Sequence, residues 1–113
     1  MLQSSGLGNS LNAITTLLVP YQIPTLTIVS MRGDAGEWNT AQMPMGRAVR
    51  PILDAIGLQH VTVESGEASR ATVERAGVDA YRTRVTYACL LPKRLTAQQA
   101  NGTRDFSRAG DAK

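Results

Sequence analysis

Met1-Leu2-Gln3-Ser4-Ser5-Gly6-Leu7-Gly8-Asn9-Ser10-Leu11-Asn12 sets the fold class of this chain. Met1–Gln3 reads as the end of a strand, and Ser4–Gly8 as a glycine-containing turn. Asn9 is a good helix N-cap, because its side chain can accept a hydrogen bond from a free backbone N–H. Leu11, Ile14, Leu17 and Leu18 then fall at helical spacing, and Pro20 stops the helix. Downstream the alternation repeats. Pro24–Met31 is a run rich in β-branched residues and predicts a buried strand. A loop from Arg32 to about Pro44 contains Gly33 and Gly36. A helix then runs to Ile56, with Gly57 as its C-terminal cap. Pro51 within it marks either the first helical residue or a kink. His60–Val63 predicts a strand, Glu67–Arg84 a helix weakened by Gly77, and Val85–Leu91 a last buried strand. Strands alternating with helices define an α/β fold, a partial open parallel sheet with helices on both faces. The first strand is a stub, so the sheet is expected to need residues upstream or from another chain.

Composition narrows the function. At 113 residues the chain makes one domain at most. Hydrophobic residues at 42% and charged residues at 19% fit a folded core. The net charge of +3 and the pI near 9.5 come from the last segment. From Pro92 to Lys113 there are five basic residues (Lys93, Arg94, Arg104, Arg108, Lys113) against Asp105 and Asp111. The rest is neutral, and aromatic content is only 4%, so nucleic-acid binding is not indicated. Residues 96–113 read as a polar tail, disordered from Ala97 onward. A single cysteine, Cys89, allows no intrachain disulfide. With no apolar run of about 20 residues, a cytoplasmic location and no membrane contact are expected.

The glycine pair has two local readings. A dinucleotide site needs a third glycine where Leu11 stands, and an acidic residue about 20 residues on, for which Asp34 is the nearest candidate. The other reading is a tight strand-to-helix turn with no ligand.

Gln3-Ser4-Ser5-Gly6-Leu7-Gly8-Asn9-Ser10-Leu11-Asn12-Ala13 resembles the "QNSGLGNxxN" segment of the sulfopyruvate and phosphonopyruvate decarboxylases. Ile23-Pro24 followed by Met31-Arg32-Gly33 is similar to that family's "IP…RG". Thr40-Ala41-Gln42-Met43-Pro44-Met45-Gly46 is similar to "PAQxPMG", and Leu53-Asp54-Ala55-Ile56 to "LLDAI". The four blocks stand in family order across residues 1 to about 60. From 60 to 95 the match is in pattern only, and the tail matches nothing.

The resemblance implies the pyrimidine-binding domain of a thiamine-diphosphate fold, residues 1–95 forming its C-terminal part. It implies an alpha-type subunit of a hetero-oligomer, whose beta-type partner binds the diphosphate through Mg²⁺. The reaction is decarboxylation of a 2-oxoacid, with sulfopyruvate preferred because of the Ala-Gln-Met-Pro-Met-Gly run. Phosphonopyruvate is the alternative, and a non-catalytic remnant that binds a partner is a second. Gln3, Gly6, Gly8 and Asn9 are carried over as cofactor-binding positions. The family's catalytic glutamate lies upstream of the strand ending at Gln3, so the chain is expected to be N-terminally truncated. None of Glu37, Glu64, Glu67 and Glu74 can inherit that role. Thr40 replaces a usual proline, and Pro51 interrupts a helix the family leaves unbroken.

Arg32, Gln42 and Arg47 are candidate substrate-binding residues, since an arginine fork suits a sulfonate, phosphonate or carboxylate. Trp38 is expected against a partner. His60 and Cys89 are too few for a protein-only metal site. Cys89 is expected to be a buried, inert thiol and His60 structural or exposed, while Arg70, Glu74 and Arg75 form a solvated helix face.

Overall fold

In the computed structural model, residues 1–96 are described. The strands are β1 (Leu2–Gln3), β2 (Thr25–Ser30), β3 (Gln59–Thr62) and β4 (Thr86–Leu91). The helices are α1 (Ser4–Ala13), α2 (Met43–Ala55) and α3 (Ser69–Thr83). All strand pairs are parallel, in the order β1-β2-β4-β3. The expected α/β class and the stub-like first strand are both present. The disordered tail expected from Ala97 lies outside the described residues.

The two faces of the sheet are covered by different helices. Leu7 and Ile14 of the first helical segment join Val49 and Leu53 of α2 in one buried cluster. Val29, Met31, Ala88 and Leu90 complete it from the sheet. Alternate strand residues point the other way, toward α3: a Cβ on Gly77 would lie 3.6 Å from Leu26 Cδ2. Cys89 is fully buried among the strands, and burial pushes its thiol pKa up. That is the inert thiol expected.

One expectation fails at the start. Asn9 is not the N-cap, and Ser4–Gly8 is not a turn: the helix begins at Ser4, with Gln3 as an N-cap in extended conformation. Serines and glycines are weak helix formers, but tertiary contacts override that preference. Buried Ser4 accepts a hydrogen bond from the Arg32 backbone N–H at 2.9 Å. Gly6 faces Leu2, where a Cβ would meet side-chain atoms at 3.5 Å, an ordinary contact. Gly6→Ala should therefore raise stability by about 0.5–1 kcal/mol through the lost flexibility of glycine in a helix. Urea unfolding would check this, and a destabilised variant would show that position 6 needs a bare backbone.

α1 passes at Ile14–Leu18 into a π-helical stretch. Thr15 and Thr16 hydroxyls donate to carbonyls one turn back, and Pro20 supplies no N–H to continue the ladder. α2 runs through Pro51 without starting there, so the proline is an interior residue. Gly57, with φ +71°, follows its C-cap Ile56 as expected. Arg84, at φ +55°, caps α3 in the left-handed region.

Candidate functional site

Strand register sets the geometry of the carboxyl edge. Gln3 aligns with Ser30, and Ser30 with Leu91. The residues just beyond (Ser4, Met31 and Pro92) therefore emerge side by side, where parallel α/β sheets bind ligands. Met31 N–H still donates to the Leu91 carbonyl at 2.9 Å. One residue further, Arg32 and Lys93 leave the sheet together.

The loop after β2 folds back around a single carboxylate. Glu37 Oε1 accepts from Arg32 Nε at 2.7 Å and from the Gly33 N–H at 3.0 Å. Oε2 accepts from Arg32 Nη2 at 3.0 Å and from the Asn39 N–H at 3.1 Å. Lys93 Nζ stands 3.8 Å from Oε2. The Glu37 side chain is shut off from solvent, and the Arg32 side chain keeps 24% exposure. The Arg32 guanidinium, followed by the Gly33 and Asn39 amides, holds the Glu37 carboxyl far below the usual carboxylate range. The same pair raises the Arg32 pKa further.

α2 seats directly on this loop. A Cβ on Gly46 would overlap the Arg32 carbonyl oxygen, and would lie 2.7 Å from Gly33 Cα and 2.8 Å from Arg32 C. Gly33, at φ +66°, would in turn press a Cβ into the Gln42 carbonyl and to 2.9 Å from Met43 Cα. Both positions admit only glycine, one for space and one for space and conformation. Asn39 finishes the loop by accepting from the Ala41 N–H at 3.1 Å.

The expected site residues separate into two groups. Arg32 and Gln42 meet at the carboxyl edge, Gln42 through its backbone against Gly33. Gln3 ends β1 on the same edge and is exposed. Arg47 is exposed on α2, one residue beyond Gly46, and Asn9 is exposed on α1. Gly6 and Gly8 sit inside α1 at packing positions rather than in a ligand-hugging turn. A Cβ on Gly8 would lie 3.2 Å from Met45 Sδ and 3.3 Å from Cε.

Both glycine positions are therefore covered by the chain's own side chains. Clefts of about 260 Å³ and 370 Å³ lie elsewhere, beside Arg75 and Tyr87 and beside Asp54 and His60. The described residues do not by themselves build a site that fits thiamine diphosphate.

Glu37 and Lys93 are what sequence reading missed at this edge. Glu37 looked like one of several loop carboxylates, and Lys93 like one tail charge among five. Elsewhere, His60 Nε2 pairs with Asp54 Oδ1 at 2.7 Å and ties β3 to the last turn of α2, a structural role. Trp38 is 80% exposed on the clamped loop. Among the described residues no three His, Cys, Asp or Glu side chains come together as metal ligands. No described helix is long and apolar enough to cross a membrane.

The described residues form an α/β segment with a charged, glycine-sealed carboxyl edge. Its sequence resembles the sulfopyruvate decarboxylase alpha subunits and the phosphonopyruvate decarboxylases. It is 37% identical over 91 residues to sulfopyruvate decarboxylase subunit alpha of Methanocaldococcus jannaschii, covering 80% of this chain and 53% of that one. The corresponding subunit of Methanothermobacter thermautotrophicus is 40% identical over 91 residues, 80% of this chain and 55% of that one. Phosphonopyruvate decarboxylase of Streptomyces viridochromogenes is 41% identical over 58 residues, half of this chain and 15% of that protein. The chain thus spans about half the length of the curated alpha subunits it matches. No family model matches it.

Proposed function

We propose that these residues form part of the pyrimidine-binding, alpha-type subunit of a thiamine-diphosphate-dependent 2-oxoacid decarboxylase, with sulfopyruvate as the preferred substrate. The observation that carries this reading is likeness along four-fifths of the chain to proteins named sulfopyruvate decarboxylase subunit alpha. Phosphonopyruvate is the second substrate class, supported by the shorter matches to its decarboxylases.

In this reading residues 1–95 are one wall of a shared site. Gln3 and Asn9, both exposed, would hold the cofactor's pyrimidine side, and Gly6 and Gly8 would set how closely α1 approaches its neighbours. Arg32, Gln42 and Arg47 serve the anionic substrate. A beta-type subunit supplies the diphosphate and Mg²⁺ side. The electron sink for decarboxylation belongs to the cofactor, while protein groups orient and exclude water.

The test is CO₂ release from sulfopyruvate with thiamine diphosphate and Mg²⁺. Residues 1–113 alone are expected to give no turnover, because none of their glutamates stands at the family's catalytic position and a diphosphate-binding subunit is not part of them. The subunit restored to the length of its relatives and co-expressed with a diphosphate-binding subunit should turn over sulfopyruvate. Turnover by the isolated chain would refute the shared-site reading. An inactive reconstituted pair would point to the non-catalytic remnant.

A further inference from the structure

Among the described residues at the carboxyl edge, Lys93 is a charged group whose hydrogen-bonding capacity is wholly unspent. A carboxylate offers about four lone-pair sites. All four on Glu37 are taken, by Arg32 Nε and Nη2 and by the Gly33 and Asn39 amides. Lys93 Nζ arrives fifth, at 3.8 Å, too far for a hydrogen bond. Among the described residues no acceptor takes any of its three donors. Its stem is mostly covered, the side chain being 16% exposed, while the ammonium at its tip is not among the buried unpartnered groups and so remains accessible to a ligand. The cluster of Arg32, Glu37 and Lys93 also carries one positive charge in excess.

Neighbouring groups leave that charge in place. Arg94, the next residue, donates to the Glu64 backbone carbonyl, which adds no negative charge. Arg32 keeps a second terminal nitrogen, Nη1, that no described residue engages. Arg32 is held by its fork on Glu37, and the Lys93 backbone by the 93–96 helical turn, where the Thr96 hydroxyl donates to the Lys93 carbonyl at 3.0 Å.

We infer that Lys93, beside the clamped Arg32, is an anion-recognition residue that takes the second anionic group of the substrate, a sulfonate or phosphonate. The glutamate clamp holds the arginine while neutralising it, and the lysine supplies the charge that is left over. The assignment of that anion to a substrate rests on the decarboxylase reading; the receptor itself rests on the geometry.

Sulfoacetate, a small molecule carrying a carboxylate and a sulfonate, is a suitable probe. Its binding to the 113-residue chain would be measured by isothermal titration calorimetry, beside Lys93→Gln, Lys93→Arg and the distant Arg84→Gln. Lys93→Gln should weaken binding by about 10- to 100-fold, the loss of one charge-assisted contact. Lys93→Arg should restore most of it, and Arg84→Gln should bind as the parent does. Circular dichroism identifies a variant that has lost its fold, in which case the Lys93→Arg comparison decides. Unchanged affinity in Lys93→Gln, or no binding by the parent at millimolar sulfoacetate, overturns the inference. Intact Lys93-dependent binding without sulfopyruvate turnover in the reconstituted enzyme supports the receptor and sinks the decarboxylase reading instead.

Discussion

Gly46→Ala is expected to lower the melting temperature by roughly 12 °C or more, from a loss of about 3 kcal/mol. The added methyl would overlap the Arg32 carbonyl oxygen and press on Gly33 Cα at 2.7 Å. Both are backbone atoms, which cannot swing aside as a side-chain end can. The Arg32–Gly33 segment is itself fixed, by the Ser4 hydroxyl on its N–H and by Glu37 on the Gly33 amide. Relief therefore requires α2 to move off the loop, opening the cluster that Val49 and Leu53 fill. Gly66→Ala is the matched control, because no atom lies within 4 Å of a Cβ there; it should be nearly neutral. Equal melting temperatures for the two variants would show that α2 does not seat on the loop as described.

Glu37→Gln is expected to release the whole loop, and Trp38 reports it. This sole tryptophan is exposed and adjacent to the carboxylate, so its fluorescence anisotropy should fall when the clamp opens. An amide keeps one acceptor oxygen but has no charge for Arg32 and places donors opposite donors. The parent should show the same loosening on acidification. The Glu37 pKa is lower folded than unfolded, so its contribution to stability is complete above the unfolded value of about 4.3. It is lost progressively as pH falls below that value toward the folded pKa. Titrating the parent downward from pH 6 should therefore leave anisotropy flat through about pH 4.3 and lower it only well below that, as pH approaches the depressed folded pKa. Glu37→Gln should start low and show no such step. A variant with the parent's anisotropy and acid profile would mean that loop order does not depend on this carboxylate.

The elements legible in the sequence were those with a local signal. β2 and β4 were visible as β-branched or apolar runs, and occupy Thr25–Ser30 and Thr86–Leu91. The end of α2 was marked by Gly57, whose positive φ only glycine adopts easily. The start of α1 was not legible, because Ser4, Ser5, Gly6 and Gly8 are all poor helix formers and the compensating contacts come from Arg32 and Met45. The resemblance draws Arg32 into the candidate site, and the structure puts it at the carboxyl edge, forked on Glu37. Its partner Glu37 carries no such signal, since a carboxylate's environment depends on how the loop closes. Lys93 was harder still: it meets Glu37 across 56 positions only because β2 and β4 are neighbours in register. Strand pairing is a non-local property, and no spacing pattern announces it.

The strand order also bears on synthesis. β4 lies between β2 and β3, yet it is the last of the described strands to leave the ribosome. β1 covers β2 at just two positions, Val29 and Ser30. β2 is complete at Ser30 and β4 at Leu91, so at about 5–20 residues per second roughly 3–12 s separate them. Until β4 is made, β2 and, once complete, β3 lack the neighbour that pairs with both, a condition that invites capture by chaperones or by other nascent chains. The closing strand brings Lys93 with it two residues later. The charged edge and the sheet therefore come into being in the same moment of translation, and neither exists as an earlier stage on which the other could be assembled.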